Sequence, residues 1–327
     1  MTEPASLDAS PLEYGKLPDD RLIQLLFTEA DQLPLAAARE IVARSRRLIP
    51  ALAGIIEEGC NWHKHDAGWC AVVHAAYLLG AIADEAAIPP LLLAMEDAGY
   101  WDNEMLTYDL PAIFGRIGPK ALSLLREIAH DDEQEPSLRD SAMMSMAAVA
   151  QNHPEYGQEV FLFIGSIAAD SNENRETRAY AGCILLDCGR QEHEALLLSL
   201  VRSGVAANMF DAGEVRRDIK DQHLHAYLHD WMDFYSPEMI ASRRKGTEEA
   251  RLTEEAALKE ALTRDWGEDP DVCPDEDASL DEDAGESEEC GLNSPRKPWL
   301  VREQLSAHSA RTIHEKGFKT ADEMNAY

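Results

Sequence analysis

Apolar residues recur every three or four positions through the first two thirds of the chain, which is the spacing of one face of an α-helix. The clearest stretch is 67–97, where Val72, Ala76 and Leu79 share one face and a second helix begins after Asp84. Two amphipathic helices joined by a short turn are therefore predicted for this stretch.

The same helix–turn–helix pattern recurs at intervals of about 35 to 39 residues, which is typical of a helical repeat protein. The five predicted copies span 35–58, 67–97, 107–131, 138–170 and 177–204. Small residues at matching places in the first helices allow close packing, namely Gly80, Gly115 and Ala150. Prolines stand near the start of the second helices, where the missing N–H group costs no hydrogen bond, namely Pro50, Pro89, Pro119 and Pro154.

The segment AAYLLGAIADEAAIPPLLLAM resembles the HEAT-like repeats of phycobilin-lyase-type proteins and of uncharacterised bacterial repeat families. The resemblance extends over roughly residues 18–205. It implies an all-α fold of the α-α superhelix type, a HEAT-like solenoid. It implies little about activity, because the residues that carry it pack helices together.

The periodicity weakens after Ser203, and further helices are expected to cap the repeat array. Four segments are predicted: a repeat domain with its cap over 18–240, a charged helical connector over 241–266, an acidic disordered linker over 267–298 and a short tail over 299–327. The linker is expected to be disordered because residues 267–290 contain twelve Asp or Glu and no Lys or Arg.

The formal net charge of −31 disfavours binding to nucleic acid or anionic lipid, which depends mainly on Lys and Arg. A basic or amphipathic protein partner fits this charge better. No cofactor is predicted, because the sequence has no phosphate loop, dinucleotide fingerprint or zinc-protease motif. The six cysteines form no CxxC pair, and no membrane span or secretory signal is evident, so a cytoplasmic location is expected.

Acidic residues end the second helices of four successive copies, although carboxylates oppose the helix dipole at that end. Stacked repeats would align them along one edge as a binding surface, and the simpler alternative is a set of ordinary solvated loops. The residues are Glu57, Glu58, Glu96, Asp97, Asp131, Asp132 and Asp170.

Two of these loops also share a tryptophan, Trp62 in EEGCNW and Trp101 in EDAGYW. Equivalent loops of stacked repeats bring such indoles near each other, and tryptophan beside charge is a common anchor for a protein partner. The alternative is that both rings pack between repeats.

Two clusters contain residue types that bind metal ions. The segment CNWHKHDAGWCAVVH contains Cys60, Cys70 and His74 at a spacing that matches no zinc finger, so core packing is the simpler interpretation. In DQHLHAYLHDWMD, a continuous helix would place His225, His229 and Asp233 on one face. Such a row suits zinc, iron or acid–base chemistry, and a solvated face of Asp–His hydrogen bonds is the simpler alternative.

The first functional hypothesis is therefore a protein-interaction scaffold or adaptor, whose acidic edge binds a basic or amphipathic partner. The alternative hypothesis is a metal-dependent or lyase-like enzyme that uses the His/Asp cluster.

Overall fold

The computed structural model describes residues 13–220 and 227–263. Within these residues the regular elements are helices and no strand is present, which confirms the all-α prediction. The α-helices in chain order are α1 (Asp19–Thr28), α2 (Leu35–Ala43), α3 (Ile49–Glu57), α4 (Ala71–Ile82), α5 (Ile88–Tyr100), α6 (Glu104–Ile117), α7 (Leu122–His130), α8 (Pro136–Asn152), α9 (Gly157–Ala169), α10 (Arg175–Asp187), α11 (Glu194–Arg202), α12 (Ala212–Asp218) and α13 (Pro237–Thr263).

The described residues belong to two compact units, the first ending at Tyr235 and the second beginning at Ser236. The described part of the second unit is formed by α13, whose Arg251 pairs with Glu248 and Glu255 on its own surface. The predicted connector 241–266 falls on this helix as far as Thr263. The predicted linker 267–298 and tail 299–327 lie outside the described residues.

Five helix pairs occupy the predicted positions in the first unit: α2 with α3, α4 with α5, α6 with α7, α8 with α9, and α10 with α11. Pro50 and Pro89 lie in the first turns of α3 and α5. Pro119 and Pro154 begin the 3-10 turns that precede α7 and α9. The first turn of a helix has no N–H groups to lose from its hydrogen-bond ladder, so proline fits there.

Helix α4 is buried almost along its whole length, from Ala71 to Ala81. A helix that is apolar on every side belongs in the interior of a fold. Its Gly80 is required by close packing, because a Cβ atom at this position would stand 2.6 Å from Cγ2 of Ile113. At Gly115 of α6 a Cβ atom would meet Cβ of Ala148 at 3.1 Å. The predicted close packing at these small residues is therefore confirmed.

Two arginines at equivalent positions of neighbouring pairs make the same contact. The Arg139 Nε donates to the carbonyl of Ala129 at 3.0 Å, and the Arg178 Nε donates to the carbonyl of Ala168 at 3.1 Å. Each arginine thereby satisfies a carbonyl at the end of the preceding second helix, which has no donor within that helix. The two contacts repeat at an interval of 39 residues, so these two pairs share one local geometry.

The end of the first unit differs from the predicted run of capping helices. Helix α12 packs on α10 and α11, but residues 227–230 are not helical, and a 3-10 turn follows at Trp231–Tyr235. This segment runs across the first helices of the pairs, from α10 back to α4. Tyr227 donates to Asp187 of α10, and the Trp231 indole donates to the carbonyl of Tyr77 in α4. We name residues 227–235 the crossing segment.

Candidate functional site

The predicted acidic residues lie where the second helices end, but they differ in exposure. Glu57, Glu58, Asp132 and Asp170 are exposed. Glu96 and Asp131 are partly buried, and Asp97 is 6% exposed.

Local structure explains part of this acidic pattern. Asp131 accepts a hydrogen bond from the backbone N–H of Glu133 at 3.1 Å, and Asp170 accepts one from Asn172 at 2.9 Å. A carboxylate that bonds the backbone two residues later stabilises a turn. At Asp131 and Asp170 these turn contacts offset the unfavourable interaction of the carboxylate with the helix dipole.

The two predicted tryptophans have different environments. Trp62 is 8% exposed, and its indole N–H donates to the carbonyl of Ile56 at 2.9 Å, so it packs inside the fold. Trp101 is partly buried, and its ring lies 5.2 Å from that of His63. The indole N–H of Trp101 is buried and has no acceptor among the described residues. Tyr100 stands against it at 4.9 Å and is 59% exposed.

The connections between the two helices of a pair also contain acidic residues, but these residues are paired with basic side chains. Arg46 pairs with Asp84 at 2.5 Å, and Lys120 pairs with Glu85 at 2.6 Å, so these ion pairs join successive helix pairs. We name this side of the first unit the turn edge.

Among the connections between pairs, Glu173 is paired with Arg139, but several exposed carboxylates have no such partner. No Lys or Arg of the described residues lies within ion-pair distance of Glu57, Glu58, Asp102, Glu104 or Asp132. Residues 96–104 and 131–135 each contain four acidic residues and no Lys or Arg. We name these connections, with the helix ends beside them, the exit edge, and its exposed members are Glu57, Glu58, Tyr100, Asp102, Glu104, Asp132 and Asp170.

Neither of the two predicted metal-binding clusters comes together as a metal site among the described residues. His74 is fully buried, and its ring nitrogens contact the Tyr235 hydroxyl at 3.0 Å and the Ala30 carbonyl at 2.6 Å, which is a packing role. His225 lies outside the described residues. Within residues 13–220 and 227–263, no group of three His, Cys, Asp or Glu side chains is arranged to hold a metal ion.

The expected single helical face with His229 and Asp233 is wrong for the crossing segment, since His229 precedes a 3-10 turn that contains Asp233. The imidazole Nε2 of His229 instead lies 2.5 Å from Oδ1 of Asp109 in α6. The hydroxyl of Tyr77 donates to the other oxygen of the same carboxylate. Sequence reasoning missed Asp109 and Tyr77, because their partnership with His229 joins segments far apart in the chain.

This arrangement fixes the roles of the three groups. A carboxylate accepts hydrogen bonds, so the Nε2 atom of His229 carries the hydrogen and Nδ1 is left as an acceptor when the ring is neutral. Burial raises the pKa of Tyr77, with the charge of Asp109 as the next cause, so Tyr77 remains a donor at neutral pH. The ring of Tyr108 stacks on that of His229 at 4.9 Å and restricts its orientation.

His229 lines an open cleft with a volume of about 630 Å³. Its wall is formed by the last turn of α6, the end of α8 and part of the crossing segment. The polar residues of the lining are Arg116, Asn152, His153, His229 and Asp230.

The comparisons with protein-family models, with curated proteins and with solved structures find no match to this chain. Among the described residues, no helix is both long and apolar enough to cross a bilayer.

Proposed function

We propose that the protein is an interaction scaffold of the HEAT-like solenoid type, acting in the cytoplasm, and that its exit edge binds a basic or amphipathic protein partner. The five helix pairs and the repeated arginine contacts of Arg139 and Arg178 support the repeat architecture. None of the four described cysteines forms a disulfide, which agrees with a reducing compartment.

The observation that carries the proposal is the difference between the two edges. Asp84 and Glu85 of the turn edge are paired with Arg46 and Lys120, whereas no Lys or Arg of the described residues lies within ion-pair distance of Glu57, Glu58, Asp102, Glu104 or Asp132 at the exit edge. Uncompensated like charges repel one another and lower the stability of the fold. A basic partner removes this repulsion when it binds, and it is attracted over a distance of about 10 Å at moderate salt.

The aromatic residues supply the apolar part of the same surface. Tyr100 is exposed beside Trp101, whose buried indole N–H lacks an acceptor among the described residues. Tyr and Trp are the side chains that most often dominate the binding energy of protein interfaces. We therefore place the centre of the interface at these two rings, with Glu57, Glu58 and Glu104 around them.

Affinity capture with the intact protein tests the proposal. An edge variant carries Glu57→Gln, Glu58→Gln, Asp102→Asn and Glu104→Gln, all at exposed residues of the exit edge. A control variant removes four exposed carboxylates elsewhere, through Asp20→Asn, Glu155→Gln, Glu238→Gln and Glu254→Gln. We expect a partner that is retained by the wild type and the control, released by salt and lost from the edge variant. Equal retention by all three proteins would refute the role of the exit edge.

The alternative proposal, an enzyme that uses a His/Asp cluster, has support from one observation. The Asp109–His229 pair lies at an open cleft and leaves one imidazole nitrogen as an acceptor, which is the arrangement of a general base. It differs from the expected row, since Asp109 takes the place of Asp233. Hydrolysis of an activated ester that is lost in His229→Gln and kept in His65→Gln would support this alternative.

A further inference from the structure

The cleft beside His229 contains a cation that the fold leaves uncompensated. Arg116 is exposed in the last turn of α6, and its guanidinium lies 5.8 Å above the ring of Trp231. No carboxylate of the described residues lies within ion-pair distance of it, although Asp230 is also part of the lining. Trp231 is 5% exposed and tied to the carbonyl of Tyr77, so the surface under the guanidinium is fixed.

The other polar groups of the cleft can complete an oxyanion site. Asn152 provides an amide N–H₂ group, and His153, which caps α8, provides an imidazole that is 34% exposed and whose Nδ1 atom lies 3.8 Å from Glu155. Guanidinium groups bind carboxylate and phosphate oxygens in pairs, and neutral donors beside them add further hydrogen bonds. These donors outnumber the one carboxylate of the lining, Asp230, which already accepts from the N–H of Met232 at 3.0 Å.

His229 defines a second requirement on the ligand. Its Nε2 atom is engaged by Asp109, and no partner of its Nδ1 atom is present among the described residues. A nitrogen in this state accepts a hydrogen bond, so a hydroxyl group of the ligand fits it. A ligand with an anionic group and a nearby hydroxyl therefore satisfies both Arg116 and His229.

We propose that the cleft binds a small oxyanion that also carries a hydroxyl group, with the anionic oxygens on Arg116 and the hydroxyl donating to Nδ1 of His229. Asn152 and His153 hold the remaining oxygens. The shared chemistry is that of a hydroxycarboxylate or a phosphate. This site is separate from the exit edge and does not depend on the proposed scaffold function.

Nuclear magnetic resonance of the imidazole groups in the intact protein tests this site. The resonance of His229 is assigned by its loss in His229→Gln, and it is followed during titration with inorganic phosphate, with glycolate and with chloride. We expect saturable shifts with phosphate or glycolate and none with chloride at equal ionic strength. The two titrations distinguish a phosphate ligand from a hydroxycarboxylate.

The matched variants are Arg116→Gln in the cleft and Arg216→Gln on α12, both at exposed arginines. Arg116→Gln should weaken binding at least tenfold, and Arg216→Gln should leave it unchanged. Circular dichroism checks that both variants keep the helical content of the wild type. Equal affinity in the two variants, or equal shifts with chloride, would each overturn the proposal.

Discussion

Replacement of Arg139 by methionine should cause a large loss of stability, because this side chain is the most buried Lys or Arg among residues 13–220 and 227–235. Arg139 is 1% exposed, and its two terminal nitrogens lie 2.9 and 2.5 Å from the oxygens of Glu173. Its Nε atom donates to the Ala129 carbonyl. The change removes these contacts and leaves a largely buried carboxylate unpaired.

The magnitude follows from the burial of the pair. Removing one partner of a buried ion pair costs about 3–5 kcal/mol. The Glu173 side chain is 12% exposed and still accepts from the N–H of Asn174 in the variant, so we expect the lower end of this range, about 3 kcal/mol. With a urea m-value of about 3 kcal/mol per molar, the unfolding midpoint falls by about 1 M.

Urea unfolding followed by circular dichroism measures this shift, with Arg126→Met as the control. Arg126 pairs with Glu159 on the surface, where the two side chains are 35% and 61% exposed, and such a pair contributes about 0–1 kcal/mol. The midpoint should therefore fall much further in Arg139→Met than in the control. Equal shifts of the urea midpoint in the two variants would show that burial does not determine how much an ion pair contributes to stability.

The pH dependence of the stability difference between the wild type and Arg139→Met provides a second check. Hydrogen bonding to Arg139 lowers the pKa of Glu173 in the folded state. Stabilisation from a lowered carboxyl pKa is present above the unfolded value of about 4.3 and is lost as the pH falls through the folded value. The gap in stability between the wild type and Arg139→Met should therefore shrink below about pH 4.

Three other changes have definite expected outcomes. Gly80→Ala should lower the unfolding free energy by about 1–3 kcal/mol in chemical denaturation, since the added methyl group collides with Ile113. Burial, followed by the charge of Asp187, raises the pKa of Asp140 to about 7, so the stability gained by Asp140→Asn in thermal melts should grow from pH 4 to pH 7 and then stay constant. Burial raises the pKa of Cys188 to about 12, so iodoacetamide at pH 8 should modify it about a thousandfold more slowly than a free cysteine.

The sequence predicted the helix pairs because each helix carries a continuous apolar stripe with its own start and stop signals. Pro50 and Pro89 mark helix starts through local backbone geometry, so no tertiary information was needed. The spacing of Gly80 and Gly115 likewise indicated close packing without identifying the neighbours. Those neighbours, Ile113 and Ala148, are known only from the fold.

The crossing segment could not be predicted because long-range contacts override its local pattern. The spacing of His229 and Asp233 suits a helix, yet hydrogen bonds to Asp109 and Asp187 hold the chain across the first helices. Trp62 shows the same limit, since its burial depends on a hydrogen bond to Ile56 that no periodicity reveals. In both cases the position of the side chain depends on its hydrogen-bond partner, which the spacing of residues in the sequence does not reveal.

The most direct test of the proposed function is carboxyl footprinting of the intact protein with and without the captured partner. Carbodiimide-driven labelling followed by mass spectrometry reports the accessibility of each exposed Asp and Glu. The account predicts that the partner protects Glu57, Glu58, Asp102 and Glu104 and leaves Glu155 on the turn edge fully labelled. Protection of Glu155 with unchanged labelling of the exit edge would contradict it.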